Sequence, residues 1–193
     1  MSVDWTEAYV DHYARFFLGA PDATHSFQLD TAMPPLQILT YDRVVAGCRL
    51  FASLGFSLYA PAGSAPSEIV CPVDAGGDAV PDLLANALFH MATRPQPLTI
   101  SWGSTLDGLE RVNPEFAKKY KKEALYFTDP YGFPDEFAHV LTDGSAGVGR
   151  MYLAMFLTKK EHAYLREHQR DAFEEKLEEK GVDPYDVRRK SCV

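Results

Sequence analysis

Cysteine is scarce: three residues in 193, at positions 48, 71 and 192. No two have the spacing of a zinc site or a C-x-x-C redox pair. Cys48 and Cys71 sit in apolar runs, VVAGCRLF and EIVCPV, where a thiol behaves as a small hydrophobe. Such usage fits a reducing compartment. No apolar run is long enough to cross a bilayer. The opening MSVDWTEAYV carries neither the basic nor the apolar region of a signal peptide. The expectation is a cytoplasmic protein without a membrane partner. Basic charge is short as well: 19 Lys and Arg against 27 Asp and Glu leave a net charge of −8. A nucleic-acid partner is therefore not expected, because neutralising phosphates needs a basic surface. The deficit lies wholly in the first 157 residues, which hold 10 basic and 18 acidic side chains.

Signatures of catalysis and of cofactors are also missing. There is no Walker-type G-K-[ST]. The run GSAGVG at Gly144–Gly149 has the wrong glycine order for a dinucleotide fingerprint and reads as a hairpin loop. Gly55-Phe56-Ser57 lacks the second glycine of a nucleophile elbow, so Ser57 reads as a strand-end hydroxyl. His162 and His168 are six residues apart, which places them about 120° apart around a helix. Zinc ligation from a helix wants i and i+4, so both read as surface or stripe-edge residues. His90 and His139 have no nearby ligand set. No catalytic residue, cofactor or metal is expected; an enzyme with a dispersed site is kept as the alternative.

What is present is an ordinary apolar fraction of 46%, enough at this length for one domain, residues 1–193, with a substantial core. Asp4–Leu18 reads as a helix capped by Asp4, with Trp5, Tyr9, Tyr13 and Phe16 at near-helical spacing. THSFQL, LQILTY, CRLFASLG ending near Gly55, and SEIVCPV read as strands. A helix follows from about Pro81 to Ala92. PLTISW reads as a strand leaving through Gly103, ALYF as another, and RMYLAMFL as a central one. DPYGFPDEFAHVL is too irregular for a regular element. The last helix is the clearest: Thr158 and Glu161 form a capping box, Leu165, Ala172, Phe173 and Leu177 one stripe, and Gly181 a stop. This order predicts an α+β fold, a mixed, mostly antiparallel sheet packed with helices.

Several residues fit neither a regular element nor a catalytic motif. Trp102 follows a strand and precedes a glycine, with Ser104 just beyond. Tyr126, Phe127, Tyr131 and Phe133 cluster around prolines. Aromatics in such segments plug cores or form binding hot spots; Phe127 is assigned to the core and Tyr131 to the surface. Glu68 leads an apolar strand, either as a solvent-facing start or as a buried acid accepting backbone N–H bonds. The lysine run Lys118–Lys122 reads as a solvated face.

The pieces LFASLGFS, SEIVCPV, PDLLANALFHMA, ISWGST, ALYFTDPYGFP, RMYLAMFLTKKEHAYLREHQRDAFEEKLEE and DVRRKS, in that order, resemble the suppressor of fused domain from about Leu36 to the end. The resemblance implies a mixed α/β sandwich that binds proteins and has no catalytic activity. Animal members have an additional lobe and hold a transcription-factor peptide as an added strand. Two of their peptide contacts, a tyrosine and an aspartate, align near Ala87 and at Leu98, so that ligand is not carried over. Bacterial single-domain relatives are often proposed as immunity proteins. The expected partner is accordingly a protein, a basic toxin steered by the acidic body, or otherwise an endogenous protein under regulation. The expected contact residues are Glu68, Trp102, Ser104, Tyr131, Phe133, Arg188 and Arg189. The resemblance also places Asp186, Arg188, Arg189 and Ser191 in a closing strand, with its arginines paired to carboxylates.

Overall fold

Asp4 sets the first helix: its carboxylate accepts the Glu7 amide at 3.1 Å, and α1 runs Trp5–Phe16. The computed structural model describes residues 3–95, 97–142 and 148–193. The expected hairpin loop at 144–149 falls largely outside them; Val148 and Gly149 already belong to a strand. Among the described residues, eight strands form one sheet. They are β1 Ala23–Phe27, β2 Leu36–Tyr41, β3 Arg49–Leu54, β4 Ser67–Val73, β5 Thr105–Asp107, β6 Ala124–Thr128, β7 His139–Leu141 and β8 Val148–Leu157. Their order is β1-β2-β3-β4-β8-β6-β5, with β7 beside the start of β8. Every pairing is antiparallel except β4 with β8, which place Glu68 opposite Met151. The mostly antiparallel α+β architecture is as expected.

The helices are α2 Val80–Ala92, α3 Leu109–Val112, α4 Pro114–Tyr120 and α5 Lys159–Glu179. Strand alternation sorts the core into two faces. Tyr152, Ala154 and Phe156 of β8 pack with Ile69 and Cys71 of β4 under α2, α3 and α4. On the opposite face, Met151 and Leu153 join Tyr9, Tyr13 and Phe17 of the α1 region. Farther along that face, Met155 and Leu157 meet Leu165 and Phe173 of α5. Thus α1 covers one half of this face and α5 the other. The division follows from β8 running beneath both helices.

The structure corrects several expectations. PLTISW is not a strand: Leu98 N donates back to Met91 O, and Ser101 and Ser104 close a tight turn. Backbone pairing with β6 begins at Gly103 and Ser104, both bonded to Phe127, and continues in β5. Nor is Asp186–Ser191 a strand. Asp183 Oδ1 takes the Tyr185 amide and Asp186 Oδ1 takes the Arg188 amide, so the backbone turns locally instead of extending. The capping box of α5 is present as expected, yet the helix breaks at Gln169, whose φ of 68° and ψ of 174° are not helical. The basic segment after Asn113 is the helix α4, with the Asn113 side chain as its cap. Lys122 is not part of a solvated face: it is buried and donates to Arg189 O at 3.3 Å. His162 is likewise buried, its Nδ1 3.2 Å from Glu123 Oε1, whereas His168 is exposed.

Candidate functional site: a tryptophan groove beside the break in α5

The groove begins with a turn that only glycine closes easily. Gly103 has φ +89°, and a Cβ there would sit 3.0 Å from Arg170 Cδ. Its amide donates to Phe127 O at 2.8 Å, which ties the turn to β6. Ser104 Oγ donates to Ser101 O and accepts from Ser101 N. Trp102 is thereby lifted to the surface, 44% exposed.

Glu174 holds the ring in place. One oxygen, Oε1, accepts Trp102 Nε1 at 2.8 Å, Tyr126 Oη at 2.6 Å and Thr128 Oγ1 at 2.8 Å. Three donors on one carboxylate oxygen join α5, β6 and the turn. The Arg170 guanidinium lies 4.0 Å over the indole, an attraction to the ring's negative face. Between this turn and the first half of α5 lies a groove of about 500 Å³, completed by Leu165, Arg166 and Gln169.

The expected contact residues do not gather in one place. Trp102 and Ser104 line the groove together. Tyr131 is half-exposed, with its hydroxyl against Met155 Sδ and its carbonyl held by Tyr185 Oη. Phe133 turns inward and stacks on Phe137 at 4.6 Å beside α1. Arg188 is exposed. Arg189 points inward to Glu161 and to Phe156 O. Glu68 is completely buried and offers a partner no surface.

Of the two readings left open for Glu68, the buried acid is the one observed. It accepts Ser53 Oγ at 2.5 Å, Gly55 N at 2.8 Å and Ser57 N at 2.9 Å. Gly55 has φ +102°, and a Cβ there would meet Pro35 O at 2.6 Å, so glycine is required where the chain turns toward the carboxylate. Burial raises the pKa of the Glu68 carboxyl above its ordinary value, and the three hydrogen-bond donors offset this only in part.

Glu161 is equally buried but ionic. It receives Arg189, the Cys192 amide, and the amide and hydroxyl of Thr158. Burial alone would raise its carboxyl; the guanidinium and the Thr158 donors overcome that and hold it below the usual range. Lys122, buried near Arg189, is drawn down to about 8 by burial and by that positive neighbour. The Cys192 thiol is pushed up to about 11 by burial and by Glu161. At neutral pH it is a protonated, weakly nucleophilic thiol.

Glu174, Arg166, Gln169 and Arg170 were not foreseen as site residues. They lie in a stretch of charged and polar residues where helical periodicity alone does not say which face meets the turn. A tryptophan followed by a glycine at an expected strand end was the sequence signal for the groove. Among the described residues, no group of three or more His, Cys, Asp or Glu side chains is arranged to hold a metal ion. No helix among them is long and apolar enough to cross a membrane.

These features define a single mixed sheet with helices on both faces and an aromatic groove at one end. The chain belongs to the suppressor of fused family: residues 33–190 match the family described as Suppressor of fused protein (SUFU). It is similar to a suppressor of fused homologue from Neisseria gonorrhoeae, with TM-score 0.74 and 16% identity over 98% of this chain and 97% of the other. It is also similar to a chain of the Sufu–Fu complex, with TM-score 0.69 and 12% identity over 97% and 91% of the two chains. Drosophila Suppressor of Fused matches with TM-score 0.50 and 12% identity, over 97% of this chain and 50% of the fly protein. No curated protein matches.

Proposed function

We propose that this chain is a non-catalytic, cytoplasmic protein-binding module that neutralises a basic toxin by direct association. The observation that carries the reading is Trp102, held half-exposed at a groove by Glu174 and Arg170 rather than buried. A large aromatic ring fixed before binding loses little entropy on docking, which is the character of an interface hot spot. Membership of the suppressor of fused family supports the same reading. So does the similarity to a chain crystallised in the Sufu–Fu complex. The net charge of −8 suits a basic partner, whose approach it accelerates at low salt.

The test is calorimetric titration with the basic product of an adjacent gene, paired with a growth assay of that product alone. A saturable complex and relief of toxicity support the proposal; no complex overturns it. Regulation of an endogenous partner is a second reading, favoured by the Sufu–Fu complex. A complex with a partner that is harmless when expressed alone would select it.

A further inference from the structure

We propose that the groove between the Trp102 turn and the break in α5 is the slot for a short acidic segment of the partner protein. The inference rests on the reading of the chain as a protein-binding module and adds the chemistry of what this slot holds. Three observations converge. First, the groove lining contains Arg166 and Arg170 but no carboxylate, in a chain whose net charge is −8. Arg166 forms no ion pair among the described residues. Arg170 pairs with its neighbour Asp171 at 2.7 Å, in a solvent-exposed contact that competes weakly. Asp171 and Glu174 flank the slot, the latter already engaged by three donors, so the cation left unpaired in it is Arg166, which favours an anionic group that fits inside.

Second, the slot is lined by an aromatic ring already held in position, so a side chain reaching the part of the ring that Arg170 leaves open meets a pre-formed surface. Third, Gln169 lines the same groove with φ 68° and ψ 174°, a region that is essentially confined to glycine. Backbone strain of this kind concentrates at ligand clamps. Here it ends the first half of α5 and places Arg166 and Arg170 on either side of the break.

Charge range decides between a peptide and a polyanion. A nucleic acid presents a phosphate at every nucleotide and would meet the acidic body as well as the slot. A segment with one or two carboxylates feels mainly the local arginines, because fields from exposed charges fade within roughly 8–10 Å at physiological salt. A partner that is basic overall can carry such a segment and still be steered by the acidic body.

The test uses the full chain and fluorescence anisotropy. The probes are a fluorescein-labelled peptide of alternating glutamate and tyrosine, its glutamine counterpart, and a labelled oligothymidylate. The expected result is saturable binding of the acidic peptide, weakened by roughly fivefold in Arg166→Ala and by a similar factor in the glutamine peptide. Binding should also fall between 50 and 500 mM salt. Arg166→Ala is the primary variant, since Arg166 supports no contact of the fold named above; Arg170→Ala, which also loses the indole contact, is second. The slot is overturned by equal binding of the two peptides, by affinity unchanged in Arg166→Ala, by preferential capture of oligothymidylate, or by no saturable binding at millimolar peptide. Normal binding of the whole partner by the Arg166→Ala, Arg170→Ala double variant would overturn the slot and leave the binding-module reading intact. Peptide binding without any partner complex would do the reverse.

Discussion

Glu68 and Glu161 are both fully buried glutamates, and their surroundings push their acidity in opposite directions. Glu68 faces neutral donors: one serine hydroxyl and two backbone amides. Burial dominates and the proton is held more tightly. Glu161 faces Arg189, and the ion pair dominates. The difference shows two ways of closing a sheet. Near Glu68, a carboxylate gathers the backbone where β3 passes into the turn after Gly55. Near Glu161, it anchors a tail with no strand pairing of its own. Glu174 is a third case, a half-surface carboxylate that takes three donors and holds the half-exposed Trp102 ring.

The largest effect should come from removing the tail. Deleting residues 186–193 takes away buried Val187 together with the Arg189 pair, and should cost roughly 5 kcal/mol from apolar burial and an orphaned buried charge. A marked fall in melting temperature is expected; an unchanged melt would make the segment an appendage. Arg189→Met alone should cost about 3–5 kcal/mol in urea unfolding, because Glu161 is left buried without its cation. Adding Glu161→Met should recover much of that loss, which would separate the orphaned charge from lost packing.

Glu68→Ala should cost roughly 3 kcal/mol, since two amides and a hydroxyl lose their acceptor in the core. A loss under about 1 kcal/mol would mean that water replaces the carboxylate and that the site is not sealed.

The smallest effect separates the two acids by pH. A carboxyl with a raised folded value binds protons more tightly in the folded state. Its contribution to stability therefore declines as pH rises from the ordinary 4.5 through that raised value. Glu161 contributes stability that is present above 4.5 and is lost as pH falls through its lowered value. Relative to wild type, Glu68→Gln should flatten the decline above 4.5, and Glu161→Gln the loss below it. Parallel pH profiles for the two variants would contradict the comparison.

Much of the frame was legible because its signals are local. Asp4 capping α1, the strand SEIVCPV, the helix near Pro81 and the Thr158–Glu161 box each depend on residues within a few positions. The parallel pairing of β4 with β8 depends on segments about 80 residues apart and left no local trace. The break in α5 falls at a glutamine with neither glycine nor proline to announce it. The closing segment was expected as a strand from the family resemblance, but Asp183 and Asp186 spend their carboxylates on nearby amides and bend it. Its key residue was nevertheless visible: Arg189 does pair with a carboxylate, though from a turn. In the site, Trp102 and Ser104 were legible from the glycine turn. Glu174 was not, because three donors meet on it only after α5 crosses β6.

The claim that Trp102 is a binding residue rather than a core residue is tested most directly by titrating the partner protein into wild type and Trp102→Ala under identical conditions, with urea unfolding of both. A loss of at least about 2 kcal/mol in binding, near thirtyfold in Kd, is expected, with stability changed by no more than about 1 kcal/mol. Undiminished affinity for the partner, or a variant whose lost affinity is matched by a collapse in stability, would contradict it.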